Sequence, residues 1–413
     1  MVIELIREFF YDLRAHRTRA VLTLSAVAWG TLSVVLLLGF GEGLGNQMLA
    51  GLLNAGNRIM ILYGGETSKE YEGQPKGRRI RLTEEDAHII QTVVGGLEAV
   101  SPQYRNNVSL NYGKETSTTE CEGVSADFEE MRTMYPAAGG RFLSPRDVAE
   151  QRRVVFLGID IATDLFKGEE PVGKSVAIDG VPFTVIGVMQ KKVQTSMNNG
   201  PDTRRAVMPY STFRTIYGNK YVNSIVVRPI DATRQVEVKA EIYRVLARKH
   251  HFDSSDERTL GIWDFIENEK MNRRISMGFT IFIGSVGLLT LLIAGVGVAN
   301  IMYVVVKERT REIGIKMALG ARKRYIFAQF IFESLLIAFI GGAIGISLSW
   351  GIISLVRMLP ASDGAMQFLG RPVLSPTVML ATTGILAVIG ATAGFFPARK
   401  AANLDPVESL RYE

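Results

Sequence analysis

The residues whose spacing is most suggestive of chemistry lie in KGEEPVGKSVAI, residues 167–178. This segment contains the pattern G-x-x-x-x-G-K-[ST], whose fixed positions are Gly168, Gly173, Lys174 and Ser175. In a nucleotide-binding loop of this pattern, backbone N–H groups surround the phosphates and the following residues begin a helix. The pattern therefore raises the question of whether the chain binds ATP.

The neighbouring residues do not suit that role. Glu169 and Glu170 would place two carboxylates beside the phosphates, and Pro171 lacks the N–H group that a phosphate cradle needs. The next residues, VAIDGVPFTVIGV, form two β-branched runs around Asp179 and Gly180, which predicts a hairpin where a nucleotide loop requires a helix. We predict a structural turn and no directly bound cofactor.

Other residues with catalytic potential are not arranged for chemistry. His250 and His251 are adjacent, so on a helix they would point about 100° apart and could not grip one metal ion. Cys121 is the single cysteine, which excludes an internal disulfide. The sequence predicts a chain with no catalytic residues and no metal site.

Long uncharged segments dominate the two ends of the chain. Of its 413 residues, 47% are hydrophobic and 21% are charged. Segments 20–41, 275–306 and 372–398 carry no charge, and 325–356 is interrupted only by Glu333. A helix over 20–41 would be roughly 33 Å long, enough to cross a bilayer core of about 30 Å. We predict four transmembrane helices, the second prolonged into a stalk.

The distribution of Lys and Arg predicts the orientation of these helices. Residues 1–19 hold four, residues 307–324 hold seven and residues 399–413 hold three, so both termini and the 307–324 loop are expected in the cytoplasm. The net charge of +6 arises outside residues 42–274, which are close to neutral, and this argues against a nucleic-acid partner.

These observations give a complete predicted division of the chain. It comprises an interfacial amphipathic helix (1–19) in contact with membrane lipids, a first span (20–41), an extracytoplasmic domain (42–274), a second span with its stalk (275–306), a cytoplasmic loop (307–324), a third span (325–356), a short outer loop (357–371), a fourth span (372–398) and a cytoplasmic tail (399–413).

The extracytoplasmic segment reads as a mixed α/β domain in two parts. The run IRL ahead of Thr83 is predicted as a strand, followed by a helix that Thr83 caps and by a further strand. The segment from Asn223 repeats this order of strand, helix and strand. Two such β-α-β units predict a subdomain made from both ends of the segment, with a strand-rich insert between about Tyr112 and Tyr210. The fold class is thus an α+β membrane protein.

The cytoplasmic loop contains a short apolar helix. Thr310 is predicted to cap it and Gly320 to end it. Ile313, Met317 and Leu319 are expected to be exposed there, and a helix this short is marginal in water unless it docks on a partner. The predicted docking residues are Arg311, Glu312, Ile313, Gly314, Ile315, Lys316, Met317, Ala318, Leu319 and Gly320.

The segments KERTREIGIKMALGARKR, QFIFESLL and GGAIGI, together with GRFLSPRD and FFPARKAANLDPVESLRYE, resemble the MacB/FtsX-type ABC transporter permeases. The resemblance covers nearly the whole chain. It implies a dimer of permeases bound to cytoplasmic ABC ATPase subunits, which carry ATP and Mg²⁺, and it assigns residues 311–320 to the coupling helix. MacB itself carries its ATPase on the same chain, whereas this sequence begins at the amphipathic helix, so a separate ATPase is expected.

The resemblance implies export of an unknown substrate by mechanotransmission, in which motion of the coupling helix passes to the extracytoplasmic domain. An FtsX-like regulator of a cell-wall hydrolase, a lipoprotein-handling permease and a membrane-anchored receptor without an ATPase stay open as alternatives. So do the pairing as homodimer or heterodimer and the involvement of a periplasmic adaptor.

Residues within the spans predict helix packing. Glu333 is expected in the inner leaflet, where an unrelieved carboxylate costs about 3 kcal/mol, so it should lie within reach of Gln329 or of a partner helix. The family pattern also has an acid here, and the resemblance therefore implies a structural or coupling role. The small-residue pairs permit close helix approach, with a dimer interface slightly favoured over packing within the chain. These pairs are Gly341 with Gly345 and Gly390 with Gly394.

Overall fold

A computed structural model describes residues 7, 9, 11, 17–192, 194, 200–358 and 370–405. Most of the predicted amphipathic helix, the loop 357–371 and the tail 399–413 therefore lies outside the described residues. The helices are α1 (Arg17–Leu53), α2 (Glu84–Val93), α3 (Phe128–Met131), α4 (Pro145–Ala149), α5 (Ile159–Phe166), α6 (Tyr210–Tyr217), α7 (Gln235–His250), α8 (Phe265–Glu308), α9 (Thr310–Ala318), α10 (Lys323–Met358) and α11 (Pro376–Ala402). The strands are β1 (Met60–Gly64), β2 (Leu97–Tyr112), β3 (Glu115–Val124), β4 (Val154–Leu157), β5 (Ser175–Ile178), β6 (Val181–Val188), β7 (Arg205–Pro209), β8 (Ser224–Pro229) and β9 (Leu260–Asp264).

The chain divides into two compact units. Met1–Gln47 and Arg274–Glu413 form the first, which we call the helical unit, and Met48–Arg273 forms the second, which we call the large domain.

Within the described residues, four helices are long and apolar enough to cross a membrane, namely α1, α8, α10 and α11. This confirms the prediction of four long apolar helices. Their uncharged runs form helices because a helix satisfies its backbone hydrogen bonds internally, as a lipid environment requires. Side chains from all four helices share one hydrophobic cluster, which includes Val27, Leu291, Phe330 and Leu386.

The large domain is built on a mixed sheet, confirming the predicted α/β class. In the described part of the chain its strand order is β3-β7-β4-β6-β5-β2-β8-β1-β9, with a further pairing of β3 with β2. Strand β2 is 16 residues long. It pairs through its first half with β8 and through its second half with β3 and β5. One strand thus connects both parts of the sheet.

The strand pairing agrees with the predicted two-part organisation. β1, β8, β9 and the first half of β2 come from the two ends of the segment and pair with one another. Strands β3 to β7 fall between Tyr112 and Tyr210, as predicted for the insert. The hairpin predicted around Asp179 and Gly180 is formed by β5 and β6.

The prediction of a strand immediately ahead of Thr83 is wrong. The segment there forms only an isolated bridge between Arg79 and Glu66. The reason is that β1 already pairs with β8 on one side and β9 on the other, so no place beside it remains. The strand that precedes α2 is therefore β1.

The predicted Thr83 cap of α2 is confirmed and extends into a network. Asp86 and Thr83 form a reciprocal capping box, with the Thr83 N–H donating to Asp86 Oδ2 over 2.7 Å. Asp86 is fully buried, and its Oδ1 lies 2.9 Å from Lys249 Nζ and 3.0 Å from His250 Nε2. The network ties the start of α2 to the end of α7, and it gives His250 a structural role.

A second capping box begins α4. The Ser144 N–H donates to Asp147 Oδ2 over 2.8 Å, and Arg141 Nη1 donates to the same oxygen over 2.6 Å. Burial raises the pKa of Asp147, but the hydrogen bonds from Arg141 and Ser144 outweigh it and lower the pKa to about 2.

Stability of the large domain should depend on pH through Asp86. Burial raises the pKa of this carboxyl, but the bonds from His250 and Lys249 lower it to about 2, below its ordinary value of 3.8. A depressed pKa stabilises the fold above about pH 4, and this contribution is lost as the pH falls towards 2. We expect Asp86→Asn to lower the free energy of unfolding by about 1 to 3 kcal/mol at pH 7, measured by thermal unfolding. Glu85→Gln, at an exposed neighbouring residue, is the control. Equal losses of unfolding free energy in the two variants would contradict a stabilising role for the buried Asp86 carboxylate.

Candidate functional site

Helix α9 forms where the cytoplasmic helix is predicted, with one correction at its start. Thr310 is the first residue of the helix and does not cap it; Arg309 occupies the cap position. The Thr310 hydroxyl instead donates to the carbonyls of Val306 (3.1 Å) and Lys307 (2.8 Å). This occurs because α8 and α9 follow one another almost without a break, which leaves carbonyls of α8 within reach. Gly320 follows the helix with φ of 96°, a conformation that favours glycine.

The predicted exposure of α9 is partly wrong. Ile313 is 3% exposed and belongs to the hydrophobic cluster of the helical unit, against which Met317 is partly buried. Residues four apart share one helical face, so these two side chains anchor α9 to the spanning helices. Neither is available as a primary contact for a partner.

A different pair of apolar side chains is exposed. Ile315 is 44% exposed and Leu319 is 84% exposed, and their spacing places them on a common face. Glu312 and Lys316 form an i, i+4 ion pair of 2.8 Å nearby, and Arg311 is also exposed. We call Arg311, Ile315, Ala318 and Leu319 the exposed face of α9. It combines one cation with apolar surface, a composition typical of a protein contact.

Glu333 pairs with Arg309, a contact that was not predicted from the sequence. It is 5% exposed, and its Oε1 accepts hydrogen bonds from Arg309 Nη1 (3.1 Å) and from Gln329 Nε2 (3.3 Å). The predicted contact with Gln329 is therefore present. Arg309 lies between α8 and α9, whereas Glu333 belongs to α10. The ion pair joins the start of α9 to the third span.

The glycine pairs pack within one chain, which corrects the preference for a dimer interface. A Cβ at Gly341 would lie 2.7 Å from Val27 Cβ, and one at Gly345 would lie 2.6 Å from the Ala28 carbonyl oxygen, both in α1. A Cβ at Gly390 would lie 2.9 Å from Ala338 Cβ in α10, and Gly394 faces Ser334 of the same helix. Only glycine allows these helices to approach so closely.

The nucleotide-like turn has no phosphate cradle. The Gly173 N–H donates to the Val185 carbonyl (2.8 Å) and the Lys174 N–H to the Pro171 carbonyl (3.1 Å), so these donors are occupied. Lys174 Nζ pairs with Glu169. Ser175 begins β5, and Gly168 and Gly173 adopt positive φ in the turn. These contacts favour a structural turn, and the absence of nucleotide binding stays a prediction. Across the described residues, no cluster of three or more His, Cys, Asp or Glu is arranged for a metal ion.

We expect Arg309→Gln to destabilise the helical unit by about 3 kcal/mol, because it leaves the Glu333 carboxylate buried without its cation. Arg19→Gln is the matched control. Arg19 pairs with Glu308 at 2.6 Å, but both side chains are partly exposed, so its loss should cost less than about 1 kcal/mol. Thermal unfolding of the detergent-solubilised chain measures both. Similar losses in the two variants would argue against the buried ion pair.

The packing of α1 on α10 predicts that alanine substitution at two glycines of α10 will have opposite effects on stability. Gly341→Ala should destabilise the chain by about 1 to 3 kcal/mol through overpacking against Val27. Gly351→Ala should be neutral or slightly stabilising, since no atom lies within 4 Å of its Cβ position. Unfolding temperature and oligomeric state are measured together. A Gly341→Ala chain that is fully stable but loses dimers would restore the dimer-interface interpretation.

Comparison with known proteins gives matches along nearly the whole chain. A protein from Bdellovibrio bacteriovorus named macrolide export ATP-binding/permease protein MacB is 30% identical, over 100% of this chain and 62% of its own length. A protein from Pseudomonas aeruginosa named pyoverdine export ATP-binding/permease protein PvdT is 30% identical, over 99% and 58% respectively. The chain thus spans about three fifths of the length of these relatives. The periplasmic region of MacB from Actinobacillus actinomycetemcomitans aligns with a TM-score of 0.43 and 21% identity, over 55% of this chain and 97% of that one.

Family comparison identifies two successive domains. Residues 20–245 match the MacB-like periplasmic core domain, and residues 284–406 match the FtsX-like permease C-terminal domain. The first match alone covers more than half of the chain. With this order of domains, and with four helices in its described part that are able to span a membrane, the chain belongs to the MacB/FtsX-type ABC transporter permease family.

Proposed function

We propose that this chain is the permease subunit of an exporter, and that it couples ATP hydrolysis by a separate ABC ATPase subunit to motion of the large domain. The observation that carries the proposal is the exposed face of α9, where Ile315 and Leu319 remain uncovered while Ile313 is buried. Burying a side chain of this kind contributes about 1.5 to 3 kcal/mol, which favours association with a partner.

The connections of α9 explain how a docked partner could move the permease. Ile313 fixes the helix to the apolar cluster, and the Arg309–Glu333 ion pair fixes its start to α10. A force applied at the exposed face therefore reaches the spanning helices through two contacts. Helix α8 has 44 residues, a length of about 66 Å, and begins directly after β9 of the large domain. We propose that this continuous helix transmits the motion.

The exposed face of α9 would lie in the cytoplasm with both termini, the large domain would lie outside the inner membrane, and ATP with Mg²⁺ would be bound by the ATPase. A second permease would complete the assembly. The names of the MacB and PvdT relatives describe export, which supports a transport function over regulation of a cell-wall hydrolase.

We expect the double variant Ile315→Asp with Leu319→Asp to weaken association with the ATPase at least tenfold, because two apolar contacts are replaced by hydrated charges. Met317 is unsuitable for this test, since it is partly buried and its replacement would disturb the fold. Association is measured by co-purification from native membranes and by titration of the purified subunits, with nucleotide-dependent ATPase activity recorded alongside.

The matched control is Ile230→Asp with Val236→Asp. It introduces the same change at two exposed positions of the large domain, which are 59% and 70% exposed. The control should retain the ATPase. An Ile315, Leu319 double variant that keeps full association and coupled activity would refute the docking proposal, and so would a wild-type chain that purifies without any ATPase.

A further inference from the structure

A buried group of charged side chains lies where the two parts of the large domain meet. We call it the ionic cluster. Its members come from three strands and from the segments that connect them, namely Arg105, Glu122, Arg132, Lys192, Asp202 and Arg205. Each of these side chains is at most 9% exposed. Burying so many charges is costly unless they pair with one another, so their partners show what the cluster holds together.

One side of the ionic cluster belongs to a closed barrel. In the described residues, β3, β7, β4, β6, β5 and the second half of β2 pair in that order, and β2 returns to β3. We call these six strands the barrel. Arg105 lies just past the point at which β2 changes its partner from β8 to β3. It faces Glu122 across the pair of β2 with β3, with 3.4 Å between Arg105 Nε and Glu122 Oε1.

The other side of the ionic cluster holds the residues that follow α1. Lys192 Nζ donates to the Asn54 carbonyl over 2.9 Å, to the Arg132 carbonyl over 2.7 Å and to Asp202 Oδ2 over 2.7 Å. These bonds use all three donors of the ammonium group. The Asn54 carbonyl also accepts a hydrogen bond from the Thr133 hydroxyl over 2.8 Å. One ammonium group thus joins the end of α1 to the segment that carries Asp202.

Asp202 connects the two sides of the cluster. Its Oδ1 accepts a hydrogen bond from Arg132 Nη2 over 2.7 Å and lies 3.5 Å from Arg205 Nη1, which also donates to Glu122 on β3. Burial raises the pKa of Asp202, but the charges of Arg132 and Lys192 outweigh it and lower the pKa well below its ordinary value, so the carboxylate stays ionised. A chain of ion pairs therefore runs from the end of α1, through Lys192, Asp202 and Arg205, to the barrel.

Ion pairs give this junction a property that its apolar contacts lack. The hydrophobic cluster around Leu52, at the end of α1, includes Phe156 and Val207 of the barrel. Apolar contacts are non-directional, so they hold two surfaces together without specifying one relative position. A buried ion pair adds little net stability compared with an apolar contact, but its hydrogen bonds are satisfied in a narrow range of geometry. The ionic cluster therefore fixes how the barrel is placed relative to the end of α1.

We propose that the ionic cluster is a latch that holds the barrel in one position against the end of α1, and that Lys192 is its central positioning residue. The latch gives α1 its own connection to the barrel, whereas α8 continues directly from β9 in the other part of the sheet. Under the proposed function, motion of α1 then reaches the barrel through the latch, and this last step rests on the ATPase coupling. The latch itself is a property of the chain alone, so it can fail while the coupling holds, and the reverse.

The latch is tested by pulsed electron spin resonance on the full-length chain in lipid nanodiscs, without an ATPase. Spin labels at Ala50→Cys on α1 and Lys114→Cys between β2 and β3, both exposed positions, report the distance from α1 to the barrel. The natural Cys121 is buried and does not react. We expect Lys192→Met to widen this distance distribution about twofold or more. Labels at Ala50→Cys and Gln91→Cys, on α2, should keep the wild-type width, because apolar contacts still hold α1 to the other part of the sheet.

Hydrogen exchange separates a latch from a general stabilising role. Lys192→Met leaves Asp202 paired with Arg132, so the domain should still fold. The backbone N–H groups of residues 54–57 are hydrogen-bonded in the wild-type chain. Their exchange should accelerate about tenfold in Lys192→Met, whereas β4 and β8 should stay protected.

Two further variants complete the test. Lys174→Met is the matched control, because it removes a lysine that pairs with Glu169 at the protein surface, and it should change neither measurement. Thr133→Val removes the second donor to the Asn54 carbonyl without changing the shape of the side chain, so it should shift both measurements in the same direction as Lys192→Met but by less. Unchanged distances and exchange in both latch variants would overturn the proposal. Faster exchange throughout the domain would also overturn it, since the cluster would then only stabilise the fold.

Discussion

An isolated nine-residue helix is only marginally stable in water, so α9 depends on its contacts with the spanning helices. Ile313 supplies the apolar contact, and the Arg309–Glu333 ion pair supplies the polar one. These two contacts leave one face of the helix in solvent. The position of Ile315 and Leu319 is thus a consequence of how α9 is anchored, and the proposed coupling follows from the same geometry.

The features determined by local patterns were predictable from the sequence. The four spans follow from uncharged runs, the α2 cap from Thr83 and the β5–β6 hairpin from Asp179 and Gly180. The position of α9 was likewise predictable, because Gly320 ends it. Each of these patterns determines the structure of a few neighbouring residues, and the surrounding fold does not alter that structure.

The features determined by distant residues were not predictable. Arg309 and Glu333 are 24 positions apart, and nothing in their local sequence marks them as a pair. Ile313 has the same residue type as Ile315, so only the packing of the spans decides which of them is buried. In the large domain, Asp202 accepts hydrogen bonds from Arg132 and Lys192, each over 2.7 Å, in a buried ionic cluster that brings three separate segments together.

Thiol labelling at Leu319 tests whether the exposed face of α9 is a cytoplasmic docking site for an ATPase. Cys121, the natural cysteine, is fully buried, so Leu319→Cys provides a single accessible thiol. A membrane-impermeant maleimide is applied to inside-out and right-side-out vesicles, with and without the ATPase. We expect labelling only in inside-out vesicles and protection when the ATPase is bound. Labelling from the outer side, or labelling that the ATPase does not reduce, would contradict this expectation.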